Sequence, residues 1–190
     1  IPDATRDDLT DIIFPIAAEI LEKKGVEKFD ALVAQGTHQP MAEAEKRKKI
    51  GADKFPIAKI FGRVFDHEWN NSAALKKIGE IPRARVGEFS GGVFAEDVAI
   101  TINRLVAPEF YDAVLIFSST VPHEVAGFSG GAKYFFPGVA GRELTDATHW
   151  LGALCGIPNI IGKIETPTRK LIDEAAKFIE IPVICLNAVV

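Results

Sequence analysis

Val121–Gly138 reads VPHEVAGFSGGAKYFFPG, and the apolar, β-prone segment Tyr111–Ser119 (YDAVLIFSS) runs just ahead of it. A strand, a Gly/Ser turn and a helix start, in that order, make an α/β unit. The start of such a helix leaves backbone N–H groups unpaired above the sheet, where they bind anions, phosphate above all. His123 stands before the turn and Lys133 just behind it. A lysine there acts as a counter-charge or, once desolvated, as a nucleophilic amine. The stretch points to a phosphorylated cofactor or an anionic substrate.

Three familiar motifs overlap this turn. Gly127-Phe128-Ser129-Gly130-Gly131 fits the G-x-S-x-G nucleophile elbow of serine hydrolases. That elbow follows its strand directly and needs an acid and then a histidine much later in the chain. Here Pro122, His123 and Glu124 intervene, and no histidine lies beyond His149. A phosphate-binding P-loop nearly fits, but Ala132 precedes the lysine where Gly is required, and Tyr134 follows where Ser or Thr should hold Mg²⁺. The dinucleotide fingerprint G-x-G-x-x-G is absent from the turn. A tight turn whose glycines only permit close packing is the plain alternative, which His123 and Lys133 on either side weigh against.

Outward from the turn, the chain alternates strands and helices. A helix opening after Thr5 or Asp7, either a fitting N-cap, runs to about Lys24 and carries Ile12, Ile13, Ile16, Ile20 and Leu21 on its apolar side. Pro15 marks a kink or a later start. Phe29–Ala34 reads as a buried strand, Met41–Ile50 as a helix, and Val98–Val106 and Ala113–Phe117 as two further strands. Gly141–Leu154 and Thr166–Ile179 read as helices, the second opened by Thr166-Pro167 at N-cap and N1. Residues 51–97, punctuated by glycines, give no ordered pattern. The expected fold is α/β, Rossmann-like, with a largely parallel sheet flanked by helices. Sites in such sheets gather beyond the carboxyl ends of the strands, and Asp3, His38 and His123 each follow a predicted strand.

Composition bounds the function. The 190 residues can build one sizeable core, and 47% hydrophobic with 25% charged residues is ordinary for a soluble domain. A net charge of −4 with no basic stripe argues against nucleic acid. The run Lys46-Arg47-Lys48-Lys49 reads as a solvated helix face. No signal peptide and no bilayer-length apolar run is present, so no membrane partner is expected. Cys155 and Cys185 sit among apolar residues in no metal spacing and read as buried thiols in a reducing cytoplasm. Ile1-Pro2-Asp3 reads as a strand end, and Pro182–Val190 as a strand with nothing after it. The expectation is one catalytic domain over residues 1–190, excised from a longer two-domain protein.

Of four histidines, His38 lies at a strand-to-helix turn, and Pro122 fixes the direction of His123. His149 shares a small, polar helix face with Thr145, Asp146 and Gly152, which suits close approach to a ligand. His67, between Asp66 and Glu68, reads as a surface residue. No HxxxH, HExxH or paired cysteines offer an all-protein metal cage.

Asp3-Ala4-Thr5-Arg6, Gly36–Met41 (GTHQPM), Pro122-His123 with Ala126–Lys133 (AGFSGGAK), and the later His149 occur in the order seen in the nickel-dependent lactate racemases. The chain resembles that family's N-terminal catalytic domain over nearly its whole length. The resemblance implies a nickel-pincer cofactor, pyridinium-3,5-bisthiocarboxylic acid mononucleotide nickel, carried covalently on Lys133 with His149 ligating the nickel. It implies His38 and His123 as two general acid/bases, one per face of a 2-hydroxy acid. It implies Arg6 as the clamp for the substrate carboxylate, and Asp3, Thr5, Ser129, Gly130 and Gly131 as cofactor-binding. The reaction implied is racemisation or epimerisation by hydride transfer from C2. It spares the enzyme the abstraction of a weakly acidic proton. Asp7, Gln39 and the pair Glu124-Val125 depart from the family's usual proline, arginine and aromatic residues, which leaves the particular 2-hydroxy acid open between lactate, its relatives and sugar acids. The family's second domain, which closes over the substrate, is missing from this chain. Two other readings stay in view: a non-catalytic anion- or nucleotide-binding module, and a serine hydrolase acting through Ser129.

Overall fold

The computed structural model describes residues 1–6 and 8–189. Its elements in chain order are α1 (Thr10–Lys23), β1 (Phe29–Leu32), α2 (Glu43–Lys49), β2 (Phe61–Phe65), β3 (Leu75–Ile81), α3 (Arg83–Ser90), β4 (Val98–Asn103), β5 (Val114–Thr120), β6 (Pro122–His123), β7 (Gly127–Phe128), α4 (Arg142–Cys155), α5 (Pro167–Ala176) and β8 (Val183–Val189). The fold is α/β, with parallel strand pairs flanked by helices. β1 pairs with β2 and β5 with β8 in parallel. β3 with β4 and β6 with β7 are antiparallel. The β3–β4 ladder draws one strand from the stretch that shows no order in sequence. Its alternation is broken by a register shift between Lys77 and Gly79.

β5 separates two cores. Successive strand side chains point to opposite faces, so Ile116 joins one cluster and Phe117 the other. On the Ile116 side α4 packs on β4, and α5 packs on α4 and α3. The Phe117 side holds Phe14 of α1 with Ala31 and Val33 of the β1 segment. Phe14 meets Phe29, Phe61 and Phe117 at ring separations of 5.1, 5.4 and 5.4 Å. Burying one such ring contributes about 1.5–3 kcal/mol. Ile1 runs alongside this face. Its amino group donates to the Leu32 carbonyl and its own carbonyl accepts from the Ala34 amide, each at 2.8 Å. That bracketing of Val33 is a parallel-ladder contact, and it delivers Asp3 to the carboxyl end of β1.

Helix boundaries follow the sequence closely and faces follow it less well. α5 opens as read, with the Thr166 hydroxyl accepting from the Arg169 amide at 3.0 Å and Pro167 in the first turn. At α1, Thr5 does not serve as read. Asp7 lies outside the described residues, Thr5 bonds Asp3, and it is Asp8 that accepts from the Thr10 amide at 2.8 Å. The helix continues through Pro15, whose missing N–H frees a carbonyl but breaks no more than one bond. Its buried face is Phe14 and Ala18, while Ile12, Ile16 and Ile20 point outward, Ile16 at 53% exposure. The isoleucine stripe dominates a hydrophobicity pattern, yet it is Phe14 that packs against the strands, on Phe29, Phe61 and Phe117.

Three more expectations are corrected. Lys46 is buried, its ammonium held by Glu43 at 2.8 Å and Asp66 at 2.7 Å, so the basic run is not wholly a solvated face. Cys185 is exposed, because β8 presents its length to solvent, and Cys155, the last residue of α4, is half-buried; both are free thiols. His67 is 1% exposed and not a surface residue. Its Nε2 lies 2.8 Å from the Ala140 carbonyl and its Nδ1 3.3 Å from the Asn103 amide nitrogen, so a neutral ring satisfies both ends. Among the described residues, no helix is long and apolar enough to cross a membrane.

His67 makes stability depend on pH. Burial lowers its pKa below the ordinary 6.5, partly offset by the bond to Ala140. The folded chain holds it neutral while the unfolded chain protonates it near 6.5, so its contribution is present above that value and lost as pH falls below it. Between pH 7.5 and 5.5 the denaturation midpoint of the wild type should fall further than that of His67→Gln. Equal falls in the two proteins would exclude this linkage.

Candidate functional site

The Gly/Ser turn is built by one hydroxyl. Ser129 Oγ donates to the Ser119 carbonyl at 2.6 Å and accepts from the Val121 amide at 2.9 Å. The Ser129 amide donates to the Val121 carbonyl at 2.9 Å. These bonds fold the turn back onto the end of β5. Arg169 of α5 donates to the Phe128 carbonyl and holds the turn from the other side. Gly127 sits at φ +80°, and a Cβ there would lie 2.0 Å from the Lys163 carbonyl oxygen, so no other residue fits. Since the Ser129 proton goes to a backbone carbonyl, no histidine activates it, and the hydrolase reading loses its nucleophile.

A cavity of about 340 Å³ opens beside this turn. It brings together all three sites that the sequence places after strands, Asp3, His38 and His123, with Lys133 from the turn and His149 from α4. Thr5, Arg6 and Ser129 also line it. Gly130 and Gly131 belong to the turn that leads into the short 3₁₀ segment Gly131–Tyr134 carrying Lys133.

Asp3 and His38 form a dyad, with Asp3 Oδ2 2.5 Å from His38 Nδ1. The other carboxylate oxygen accepts from the Thr5 amide at 3.0 Å and the Thr5 hydroxyl at 2.6 Å. Burial alone would raise the Asp3 pKa, but the bonds from Thr5 and His38 outweigh it and leave the carboxyl below its ordinary value. An ionised Asp3 fixes the His38 Nδ1–H and leaves Nε2 with a free lone pair. His123 is buried, and its Nδ1 accepts from the amides of Val125 at 3.0 Å and Ala126 at 3.3 Å. Burial first, and the Lys133 charge second, push its pKa down to about 4. Glu124, 3.7 Å from Nδ1, opposes that shift, while Arg6 and His149 add to it.

His149 Nδ1 lies 2.7 Å from the Thr145 carbonyl one helical turn back. A ring anchored through Nδ1–H turns an Nε2 lone pair outward, the arrangement found behind most metal-binding histidines. Among the described residues, no three His, Cys, Asp or Glu side chains gather as a metal cage. A metal here would take one protein ligand, and the rest must come with a cofactor. Lys133 is lowered from 10.5 to about 8, by burial first and by the Arg6 guanidinium second, with Arg169 adding and Glu124 and Asp3 opposing. A substantial share of it is therefore the neutral, nucleophilic amine at mildly alkaline pH. These residues suit a group that carries an acyl function for Lys133, an anion for the positive cluster and a metal for His149.

Thr145 and Arg169 are site-building residues that the sequence reading did not assign. Thr145 shows as the i−4 neighbour of His149, a usable signal. Arg169 reaches the turn from α5 across 41 residues and gives no local signal.

The lactate racemase N-terminal domain model matches residues 1–156. The lactate racemase of Thermoanaerobacterium thermosaccharolyticum is 29% identical over 149 residues, covering 77% of this chain and 30% of that protein. The lactate racemase of Lactiplantibacillus plantarum is 28% identical over 148 residues, with the same coverage of 77% and 30%. The chain thus spans less than a third of the length of these curated relatives. A crystal structure of a Thermotoga maritima protein superposes with a TM-score of 0.88 at 36% identity, covering 99% of this chain and 45% of that one. The lactate racemase apoprotein from T. thermosaccharolyticum superposes with a TM-score of 0.78 at 26% identity, covering 100% of this chain and 41% of that one.

Competitive acetylation followed by peptide mass spectrometry tests the electrostatics. Lys133 should label with a midpoint near pH 8, against about 10.4 for ordinary exposed lysines. A midpoint shared with the surface lysines would refute the burial of its charge.

Proposed function

The chain belongs to the lactate racemase N-terminal domain family, and from that premise we propose that it is the catalytic domain of a 2-hydroxyacid racemase or epimerase that works with a nickel-pincer nucleotide. Residues 1–190 form one catalytic domain of a longer protein in this reading, and a second domain closes the site. The observation that carries it is His149, anchored by Thr145 and lining a cavity shared with Lys133, His38 and His123. Lys133 would hold the cofactor through an amide-type bond, His149 would ligate nickel through Nε2, and the Gly/Ser turn with Gly130 and Gly131 would cradle the phosphate. An imidazole nitrogen is a ligand type that would suit nickel, and the cofactor would bring the remaining ligands. When bound, the cofactor supplies an acceptor for the hydride of C2 and a donor for its return.

The chain's own residues do the rest. Arg6 pairs with the substrate carboxylate, as a guanidinium does best. Asp3 orients His38, whose Nε2 takes the hydroxyl proton as the C2–H bond gives up its electron pair and the C=O bond forms. His123 would be the second general acid/base, serving the opposite face of the substrate when the hydride returns there. Glu124 and Val125 line the same cavity, so lactate, a bulkier 2-hydroxy acid or a sugar acid remain the candidate substrates. A cytoplasmic setting suits the free thiols of Cys155 and Cys185.

The full-length protein, co-expressed with cofactor-making enzymes, should interconvert the enantiomers of a 2-hydroxy acid in D₂O with little solvent deuterium at C2. Deuterium entering C2 at each turnover would contradict hydride transfer. No interconversion across lactate and a panel of sugar acids, beside an active racemase control, would favour a non-catalytic anion-binding module. His149→Ala should lose nickel and keep the organic part, and unchanged nickel content would remove the ligand role.

A further inference from the structure

β1 and β5 lie side by side without pairing. β1 forms a ladder with β2 and β5 one with β8, and among the described residues no backbone hydrogen bond joins the two. Yet Phe14 packs on rings of both strands, Phe29 and Phe117. The Tyr111 hydroxyl, just ahead of β5, donates to Asp30 Oδ2 of β1 at 2.6 Å. Their carboxyl ends open on the same site cavity, through Gln35 and Ser119, so the two strands run in the same direction. Between them lies a second, mostly apolar cavity of about 250 Å³, lined by Lys28–Leu32 on one side and Ala113–Phe117 on the other. Backbone groups alternate between the two edges of a strand. Val114 donates toward β8, to Pro182, so Leu115 and Phe117 turn their N–H and C=O to the cavity. Phe29 and Val33 donate toward β2, to Ile60 and Phe65, so Asp30 and Leu32 turn theirs to it as well. An apolar small molecule cannot answer two rows of buried backbone groups, which are nearly always paired. A strand answers both. Ile1 shows how it enters, since it already brackets Val33 from the cavity side. The Ile1 amino group is buried, and burial lowers its pKa from 8.0 to about 5. A peptide bond there replaces a buried charge with an N–H that makes the same bond to Leu32.

We propose that the residues immediately preceding Ile1 in the longer protein form a parallel strand in this slot, joining β2, β1, the new strand, β5 and β8 into one sheet. This rests on the reading of residues 1–190 as part of a longer protein, and not on its chemistry. The register is set by Ile1. With Ile1 opposite Val33, the four residues before it lie opposite Phe29–Leu32, the whole of β1. Successive side chains point to opposite faces. Ile1 belongs to the Phe117 side, so the second and fourth residues before it face Phe14 and Leu21, and the first and third face Val106 and Val139. Both faces are apolar, so the segment should read as an unbroken hydrophobic run, as strands buried on both sides do. The strand ends at Asp3, whose carboxylate meets His38. Two ladders, rather than the bonds of Ile1 alone, then hold Asp3 in the site.

Hydrogen exchange resolved to single amides by mass spectrometry tests this, on the full-length protein and on a version whose residues before Ile1 are removed. In the intact protein the amides of Leu32, Leu115 and Phe117 should be protected as strongly as those of Val33 and Val114, which bond across to β2 and β8. In the shortened protein the first set should exchange about 10²-fold faster, while the second keeps its protection. Fast exchange at Leu115 and Phe117 in the intact protein overturns the proposal with no truncation needed, so a shortened protein that fails to fold does not remove the test. Protection of the first set that survives truncation also overturns it, and its loss on dilution would then identify a second copy of the chain as the occupant. Exchange is read without cofactor or turnover, so a protein that never racemises a 2-hydroxy acid would defeat the proposed function and still decide the strand.

Discussion

The Ser129 hydroxyl is the constraint on which the site depends. It ties residue 129 to the Ser119 carbonyl and the Val121 amide, closing a loop of ten residues over the end of β5. His123 lies inside that loop, and its ring in turn gathers the Val125 and Ala126 amides. Lys133 leaves the loop on a single 3₁₀ turn. With one hydroxyl used in this way, the histidine and the lysine are set from one rigid piece of backbone. Side chains fixed on such a frame hold a productive geometry better than side chains on free loops.

A second theme is charge gathered in a partly dry place. Arg6, Lys133 and Arg169 bring positive charge to one region, and Asp3 and Glu124 only partly balance it. The consequences run in one direction. Lys133 is lowered to about 8, and His123 is kept neutral. An anion bound here would relieve the same repulsion, which is why the reading of a phosphate-bearing cofactor and the reading of a depressed lysine support each other. The Asp3–His38 pair stands apart, since there the carboxylate has local donors and stays ionised.

Much of this was legible in the sequence because it is local. The N-cap Thr166 and the placement of Asp3, His38 and His123 after strands depend on residues close in the chain, whereas the helix start expected at the Gly/Ser turn is a short β6–β7 pairing followed by the 3₁₀ segment Gly131–Tyr134. The α/β class follows from alternation alone. Misread features depend on distant partners. His67 looks like a surface residue between two acids until Ala140 and Asn103 meet its ring. Lys46 looks solvated until Asp66 arrives from twenty residues away. The isoleucines of α1 outweigh Phe14 and Ala18 in hydrophobicity, yet shape and size decide which face packs.

Peptide mass spectrometry on the full-length protein, produced with cofactor-making enzymes and digested around Lys133, tests the account most directly when run beside elemental analysis for nickel. The account predicts an adduct on Lys133 with nickel stoichiometric to the chain. An unmodified Lys133 and no nickel, alongside a lactate racemase control that loads fully, would contradict it.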